Sequence, residues 1–138
     1  MAWIEKMQEW GGGDIAFLSE DGEAILFIVV GDPVLLTGSF KGRSSERIGC
    51  PVITSEGYTL FICGKRLARR LSKYEEKFAD HGFMIVRHGE HNDITTSYDL
   101  SICQDPELVK RLLEWKAAEF DPAAIAESIA AAEAVVSS

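Results

Sequence analysis

The chain has 138 residues, of which 46% are hydrophobic and 26% are charged, and its formal net charge is −8. This length and apolar content predict one compact unit with its own core, and they exclude a disordered or fibrous chain. The longest apolar run covers only residues 24–30, whereas a membrane span needs roughly 20 residues, and no basic start with an apolar leader opens the sequence. We therefore expect a cytoplasmic protein that is not held in a membrane.

Strands dominate the first half of the sequence. Residues 23–30 are apolar on both alternating faces, which is typical of a strand covered on both sides. Turn residues separate this run from three further runs of strand-like composition. The predicted strands of this half span residues 23–30, 34–40, 48–53 and 58–63.

The apolar period changes at Lys65. Leucines at positions 67 and 71 and aromatic residues at positions 74 and 78 recur at helical spacing. They predict an amphipathic helix over residues 65–78. Two short strands are predicted after this helix, at residues 83–87 and 95–102.

Two more helices are predicted in the last third of the chain. Asp105-Pro106 is a typical helix start, with an acidic N-cap followed by proline in the first turn, and Asp121-Pro122 repeats it. We interpret these helices as an extension, residues 104–138, that is appended to a β-rich domain formed by residues 1–103.

The basic residues are concentrated in the middle of the chain. Residues 41–91 carry ten basic and six acidic side chains, whereas residues 1–40 and 92–138 each have a net charge of −6. An acidic protein can thus present one positive surface, as binding to nucleic acid requires. The alternative is that surface charge varies along the sequence without functional meaning.

Aromatic and basic side chains occur together in this central block. Rings on strands, with Arg and Lys at the strand ends, can stack on unpaired bases and neutralise phosphates. Tyr58 and Phe61 fall on opposite faces of their strand, so one of them is expected in the core, and the sequence leaves open which. The predicted helix adds a basic ridge, although an ordinary solvated helix face has the same composition. The combination consists of Phe40, Lys41, Arg43, Arg47, Tyr58, Phe61 and Lys65, and the ridge consists of Arg66, Arg70, Lys73 and Lys77 with Arg69 beside them.

No motif of enzymatic chemistry occurs in the sequence: it has no nucleophile elbow, phosphate-binding glycine loop or zinc-protease motif. The three cysteines are widely spaced and odd in number, which predicts free thiols. Cys50 and Cys63 could join His88 and His91 around zinc, but structural zinc sites draw paired ligands from one tight knuckle, which this spacing lacks. We expect no enzyme, no catalytic residue, no metal and no cofactor.

The order of strands and helices is that of an OB-fold, in which a helix sits between the third and fourth strands of a barrel. Three stretches resemble the single-stranded DNA-binding proteins of tailed bacteriophages. They are Leu18–Pro33 (LSEDGEAILFIVVGDP), Gly49–Val52 (GCPV), and Phe83–Gly89 (FMIVRHG) followed by Asn92-Asp93 and Tyr98. The resemblance covers about residues 14–103. It implies a mainly β fold with appended helices, an α+β class built on an OB-like five-stranded barrel.

The resemblance also implies a function: a protein that coats and protects single-stranded DNA during replication or recombination and makes or breaks no bond. Partner proteins of replication or recombination would bind its C-terminal helices, and it would act in the host cytoplasm if it is viral. Many phage relatives carry a zinc ribbon and a strongly acidic tail, and this chain has neither. Self-assembly is left open. Phosphates would be neutralised by Lys41, Arg43, Arg47, Lys65, Arg66 and Arg87, and bases would stack on Phe40 and on Tyr58 or Phe61.

The acidic residues at both ends favour a different class of function. The chain would then be an accessory protein that docks on a replication or host-defence protein, with its carboxylates imitating DNA. Geometry separates the two hypotheses. Convergence of the central cations on one concave face beside an exposed ring favours DNA binding, whereas a continuous acidic stripe favours docking or mimicry.

Overall fold

A computed structural model describes residues 15–40, 43–90 and 95–136 of the protein. Within these ranges the chain forms seven strands, three α-helices and one 3-10 turn. The strands are β1 (Ile15–Ala16), β2 (Ala24–Val29), β3 (Val34–Phe40), β4 (Arg43–Thr54), β5 (Gly57–Cys63), β6 (Phe83–His88) and β7 (Ser97–Ile102). The helices are α1 (Lys65–Ser72), α2 (Pro106–Glu119) and α3 (Ala123–Val136), and the 3-10 turn (Glu75–Lys77) follows α1.

Strand β4 organises the sheet, because three other strands pair with it. β3 and β5 run antiparallel along its first and second halves, and the end of β2, Ile28–Val29, pairs with it beside β3. The earlier part of β2, Ala24–Phe27, pairs instead with β6, and β7 pairs with the far side of β6. At the other end of the sheet, β1 runs parallel to β5. Strand β2 therefore belongs to two ladders and joins them.

The fold is mixed α+β, which confirms the predicted fold class. In finer detail the described part of the chain differs from the expected five-stranded barrel: it has seven strands, and no ladder joins the end strands β1 and β7. Helix α1 follows the fifth strand, not the third. None of the helices in these ranges is long and apolar enough to span a membrane.

The sheet is covered on both faces, and each face has its own apolar core. Under α1, Leu67 and Leu71 pack on a cluster that contains Phe27, whose ring centroid lies 6.0 Å from that of Phe61. The next residue of β2, Ile28, points to the other face, toward the C-terminal helices. This two-sided burial is the reason that β2 is apolar at successive positions instead of alternating.

Helix α2 packs on the face opposite to α1. Its start follows the sequence prediction, because the Asp105 side chain accepts a hydrogen bond of 3.2 Å from the backbone of the first turn. Val109 and Leu112 then join Ile28 and Ile53 in one buried cluster.

Helix α3 packs beside α2 on the same face. Its Ala132 is fully buried against Ile15, Leu36 and Leu60. Ser128, also fully buried, donates to the backbone carbonyl of the preceding turn, so the 2.8 Å contact between its Oγ and the hydroxyl of Tyr58 is donated by the tyrosine. The extension predicted for residues 104–138 is therefore packed against the sheet, not free of it.

Several predicted boundaries differ from the structure. Strand β4 begins at Arg43 and not at residue 48, and β7 begins at Ser97 and not at residue 95. The helix predicted over residues 65–78 ends at Ser72, and the chain continues as the 3-10 turn. The short strand β1 has no counterpart among the predicted elements.

Candidate nucleic-acid interface

Two of the predicted interface residues, Phe40 and Arg43, lie where β3 ends and β4 begins. Lys41 is outside the described residues, and for Phe40 and Arg43 the structure describes the backbone but not the side chain. The two backbones form the last pair of the β3–β4 ladder. The hairpin therefore brings the backbones of Phe40 and Arg43 together, and the role of their side chains stays a prediction.

A groove of about 440 Å³ lies where β4, β5 and β7 approach the start of α1. We call it the Arg47 groove. Its border includes Arg47 on β4, Tyr98 on β7 and the segment after β1, where Phe17 is 42% exposed. It is lined by Phe17, Leu18, Ser19, Arg47, Ile62, Cys63, Gly64, Arg87, Thr96 and Tyr98.

Arg47 is the exposed cation of this groove. Its side chain reaches from β4 to Gly64, just after β5, where one guanidinium nitrogen lies 3.7 Å from the position that a β-carbon would occupy. None of the ion pairs found among the described residues involves Arg47. The guanidinium is thus exposed and belongs to none of these ion pairs.

Helix α1 supplies a second set of cations beside the groove. Arg70 donates a hydrogen bond of 2.8 Å to the backbone carbonyl of Tyr98, which ties this edge of α1 to the groove wall. Arg66 is exposed and lies one turn earlier on the same edge. Lys65 lies elsewhere on the helix and is paired with Glu46 at 2.7 Å, so its charge is largely compensated. On this edge of α1, Arg66 is thus exposed, whereas Arg70 is bonded to the backbone of Tyr98.

Arg87 was predicted to bind phosphate, and the structure gives it a different position. It is only 8% exposed, and its five N–H donors are all used. Two of the bonds join separate ends of the sheet: one goes to the Leu18 carbonyl after β1 (3.2 Å), and one to the Tyr98 hydroxyl on β7 (2.9 Å). The other three go to the carbonyls of Gly89 and Glu90 and to the Thr96 hydroxyl. Arg87 therefore holds the groove together from inside and does not offer its charge to a ligand.

Gly89 shapes the loop that Arg87 holds. Its φ is +130°, a left-handed region that side chains rarely adopt. A β-carbon there would lie 2.7 Å from Oγ1 and 2.9 Å from Cα of Thr96, too close for either to remain in place. Glycine is required at this position both by its dihedral angle and by the approach of Thr96.

The predicted stacking residues Tyr58 and Phe61 are both covered. Phe61 is 1% exposed and belongs to the core under α1. Tyr58 is half-buried on the opposite face, where its ring lies 5.4 Å from that of Phe120 and its hydroxyl bonds to Ser128. Because helices cover both faces of β5, neither ring is free to stack on a base.

Phe17 and Tyr98 are the aromatic rings that line the groove. Tyr98 lies within the closing-hairpin motif that carries the sequence resemblance, so that motif could have indicated it. Phe17 follows a two-residue strand and has no distinguishing pattern around it. Its exposure is visible only in the folded chain.

Two buried cysteines lie close to each other at this side of the core, and one of them, Cys63, lines the groove. Cys50 and Cys63 lie on adjacent strands and face the same core. Hydrogen bonding of the Cys63 thiol to Cys50, reinforced by burial, raises the pKa of Cys63 well above its ordinary range, so this thiol stays protonated at neutral pH. Within the described ranges no three His, Cys, Asp or Glu side chains lie together so as to hold a metal ion, and His91 lies outside them.

The acidic side chains are distributed differently on the two C-terminal helices. In α2, basic residues at positions 110, 111 and 116 alternate with the acids. In α3, Glu127 and Glu133 are both exposed, and the helix sequence contains no basic residue. Of these two helices, only α3 has acidic residues and no basic residue in its own sequence.

Comparison of the chain with models of protein families, with curated proteins and with solved structures finds no match in any of the three. The function is therefore argued from the geometry of the chain itself.

Proposed function

We propose that the protein is a non-enzymatic single-stranded DNA-binding protein that acts in replication or recombination in the cytoplasm, the host's if it is viral. The observation that carries the proposal is the Arg47 groove, where an exposed guanidinium and an exposed aromatic ring border one concavity. An unpaired base can enter such a groove and stack on the ring, whereas the bases of a duplex are held inside the helix. The groove thus favours single strands over duplexes.

The cations beside the groove suit the phosphates that flank such a base. Arg47 and Arg66 are exposed, and Arg66 lies on the edge of α1 that is tied to the groove. Each phosphate neutralised on a single strand contributes about −0.7 to the slope of log affinity against log salt concentration. Two such contacts predict a slope of about −1.4 from these residues, to which phosphate contacts by Lys41 and Arg43 would add.

An OB-type arrangement is part of the proposal. The meander β3–β4–β5, then helix α1, then the hairpin β6–β7 follow one another as in that fold. The guanidinium of Arg87 adds support, because it links Leu18 at one end of the sheet to Tyr98 at the other, where a barrel would close.

Fluorescence anisotropy of a labelled ~30-nucleotide oligothymidine tests the proposal, with a duplex of equal length beside it and titrations at two salt concentrations. We expect preference for the single strand and a loss of affinity with salt. Arg47→Ala should weaken binding about 3- to 10-fold and make the slope shallower by about 0.7. Arg111→Ala, which removes an equal charge from the exposed side of α2, is the control and should bind as the unmodified protein does.

Two outcomes would contradict the proposal. The first is absence of binding to the oligothymidine at low salt. The second is an equal loss of affinity for Arg47→Ala and Arg111→Ala, because the effect would then follow net charge and not the groove.

The exposed acids of α3 favour a second candidate function, docking on a replication or host-defence protein. Glu127 and Glu133 lie on a helix without basic residues. In that case the chain would not bind oligothymidine. The full chain would capture a partner protein, and replacing both glutamates by glutamine would abolish this binding.

A further inference from the structure

A second groove, of about 380 Å³, lies between α1 and strands β3 and β4. We call it the α1–β3 groove. Its floor is formed by Val29, Cys50 and Leu71, each less than one tenth exposed. Leu35 stands at its lip and is 55% exposed, the highest value among the exposed large hydrophobic side chains of the described residues. The groove thus leaves apolar surface open to water.

The remaining lining is also apolar apart from one edge. Ile48, Ala68 and Phe78 form the sides, and Gly31 and Pro33 lie at the end near the β2–β3 turn. Sites for small ligands have volumes of about 300–1,000 Å³ and are lined mainly by apolar groups with a few polar ones. The α1–β3 groove fits this description, and it runs along α1, whose eight residues span about 12 Å.

The polar side of the groove is formed by one edge of α1 and the turn after it, and its two ends carry opposite charge. Lys65, Arg69, Ser72 and Glu75 follow one another along it. Glu46 compensates the charge of Lys65, whereas none of the ion pairs found in the described ranges involves Arg69. Glu75 at the other end repels an anion there. A ligand with one negative group is therefore oriented, with that group at Arg69 and its apolar part over Leu71 and Leu35.

We propose that the α1–β3 groove binds an amphipathic monocarboxylate, a medium-chain acyl acid or an aromatic acid whose apolar part is no longer than about 12 Å. The apolar lining takes up the hydrocarbon, and the guanidinium of Arg69 pairs with the carboxylate. This site is independent of the proposed DNA interface, because it uses the edge of α1 opposite to Arg66 and Arg70.

Isothermal titration of the full chain with decanoate tests the proposal, with decanol as the uncharged comparison. We expect one site per chain, a Kd of about 0.1 mM or tighter, and binding of decanol at least tenfold weaker. Arg69→Glu should weaken decanoate binding at least tenfold. Lys73→Glu makes the same charge change on the next turn, outside the groove lining, and should alter the affinity less than twofold.

A second pair of variants tests the apolar part of the site. Leu35→Ser should weaken decanoate binding several-fold, whereas Phe17→Ser, at an exposed hydrophobic side chain outside this groove, should not. All four side chains are exposed, so circular dichroism should confirm that each variant folds. The proposal is overturned if decanoate does not bind below about 1 mM, if Arg69→Glu and Lys73→Glu have equal effects, or if decanol binds as tightly as decanoate. None of these outcomes depends on whether the protein binds DNA.

Discussion

Replacing Arg87 by lysine should destabilise the fold while leaving DNA binding intact. The guanidinium makes five hydrogen bonds from a site that is 8% exposed. A lysine ammonium keeps the charge but has three donors at a single point, so at least two of the five bonds are lost. At about 1.5–3 kcal/mol for each bond to a charged group, the free energy of unfolding falls by about 3–6 kcal/mol.

Urea unfolding followed by circular dichroism measures this loss. With a dependence of about 2 kcal/mol per M of urea, the midpoint should fall by about 1.5–3 M. Arg47→Lys is the matched control, because the same change at an exposed arginine should leave the midpoint where it is. Oligothymidine affinity, measured without urea, should be unchanged in Arg87→Lys as long as the variant is folded. An unchanged midpoint together with weakened DNA binding would refute the reasoning, since it would mean that this guanidinium faces the nucleic acid.

Three further predictions concern the loop, the C-terminal helices and the thiols. Gly89→Ala should destabilise the protein by about 2–4 kcal/mol in the same urea assay. Gly22→Ala is the control: its φ of +85° is also left-handed, but the space around it is open, so it should destabilise the protein by only about 1 kcal/mol. Deletion of residues 104–138 should yield insoluble protein on expression, because it uncovers the apolar face under α2 and α3; a soluble, cooperatively folding fragment would contradict this. At pH 8 Ellman's reagent should rapidly modify only the half-buried Cys103 in the native protein, and all three cysteines in guanidinium. Cys50 and Cys63 are protected because both are buried, and the raised pKa of Cys63 also keeps its thiol protonated as the pH rises. Rapid modification of more than one thiol in the native chain would count against that protection.

Much of the secondary structure could be predicted because local signals were strong. The bounds of β3 are those predicted, since an apolar run begins after Pro33 and ends at a polar stretch. The start of β4 was missed because Arg43–Arg47 is polar, and its residues pair with β3 in the structure. A polar strand of this kind has no apolar period to mark it.

The early end of α1 has a similar explanation. The apolar spacing that predicts a helix to residue 78 is real, because Tyr74 and Phe78 both pack on Phe83, with ring centroids 5.6 and 5.7 Å away. The backbone reaches the same packing through the 3-10 turn. Spacing predicts which side chains meet the core, but it does not distinguish an α-helix from a tighter turn over so short a stretch.

The burial of Arg87 could have been predicted from the sequence. Phe83, Ile85 and Arg87 occupy alternate positions of β6, and all three are buried. Alternation alone thus assigns the arginine to the interior face. The covering of both Tyr58 and Phe61 could not be predicted, because it depends on helices from distant parts of the sequence packing on the two faces of β5.

The division of β2 between two ladders has a consequence for how the chain folds. The ladders β3–β4 and β4–β5 connect neighbours in sequence and need only short loops to close. The ladder of β2 with β6 pairs Ala24 with Val86 and must wait until the intervening chain is compact, because closing a long loop costs more entropy. We therefore expect the β3–β5 meander to form early in folding and β6 and β7 to join late. Substitutions in β6 should accordingly speed unfolding, whereas substitutions in β4 should slow refolding.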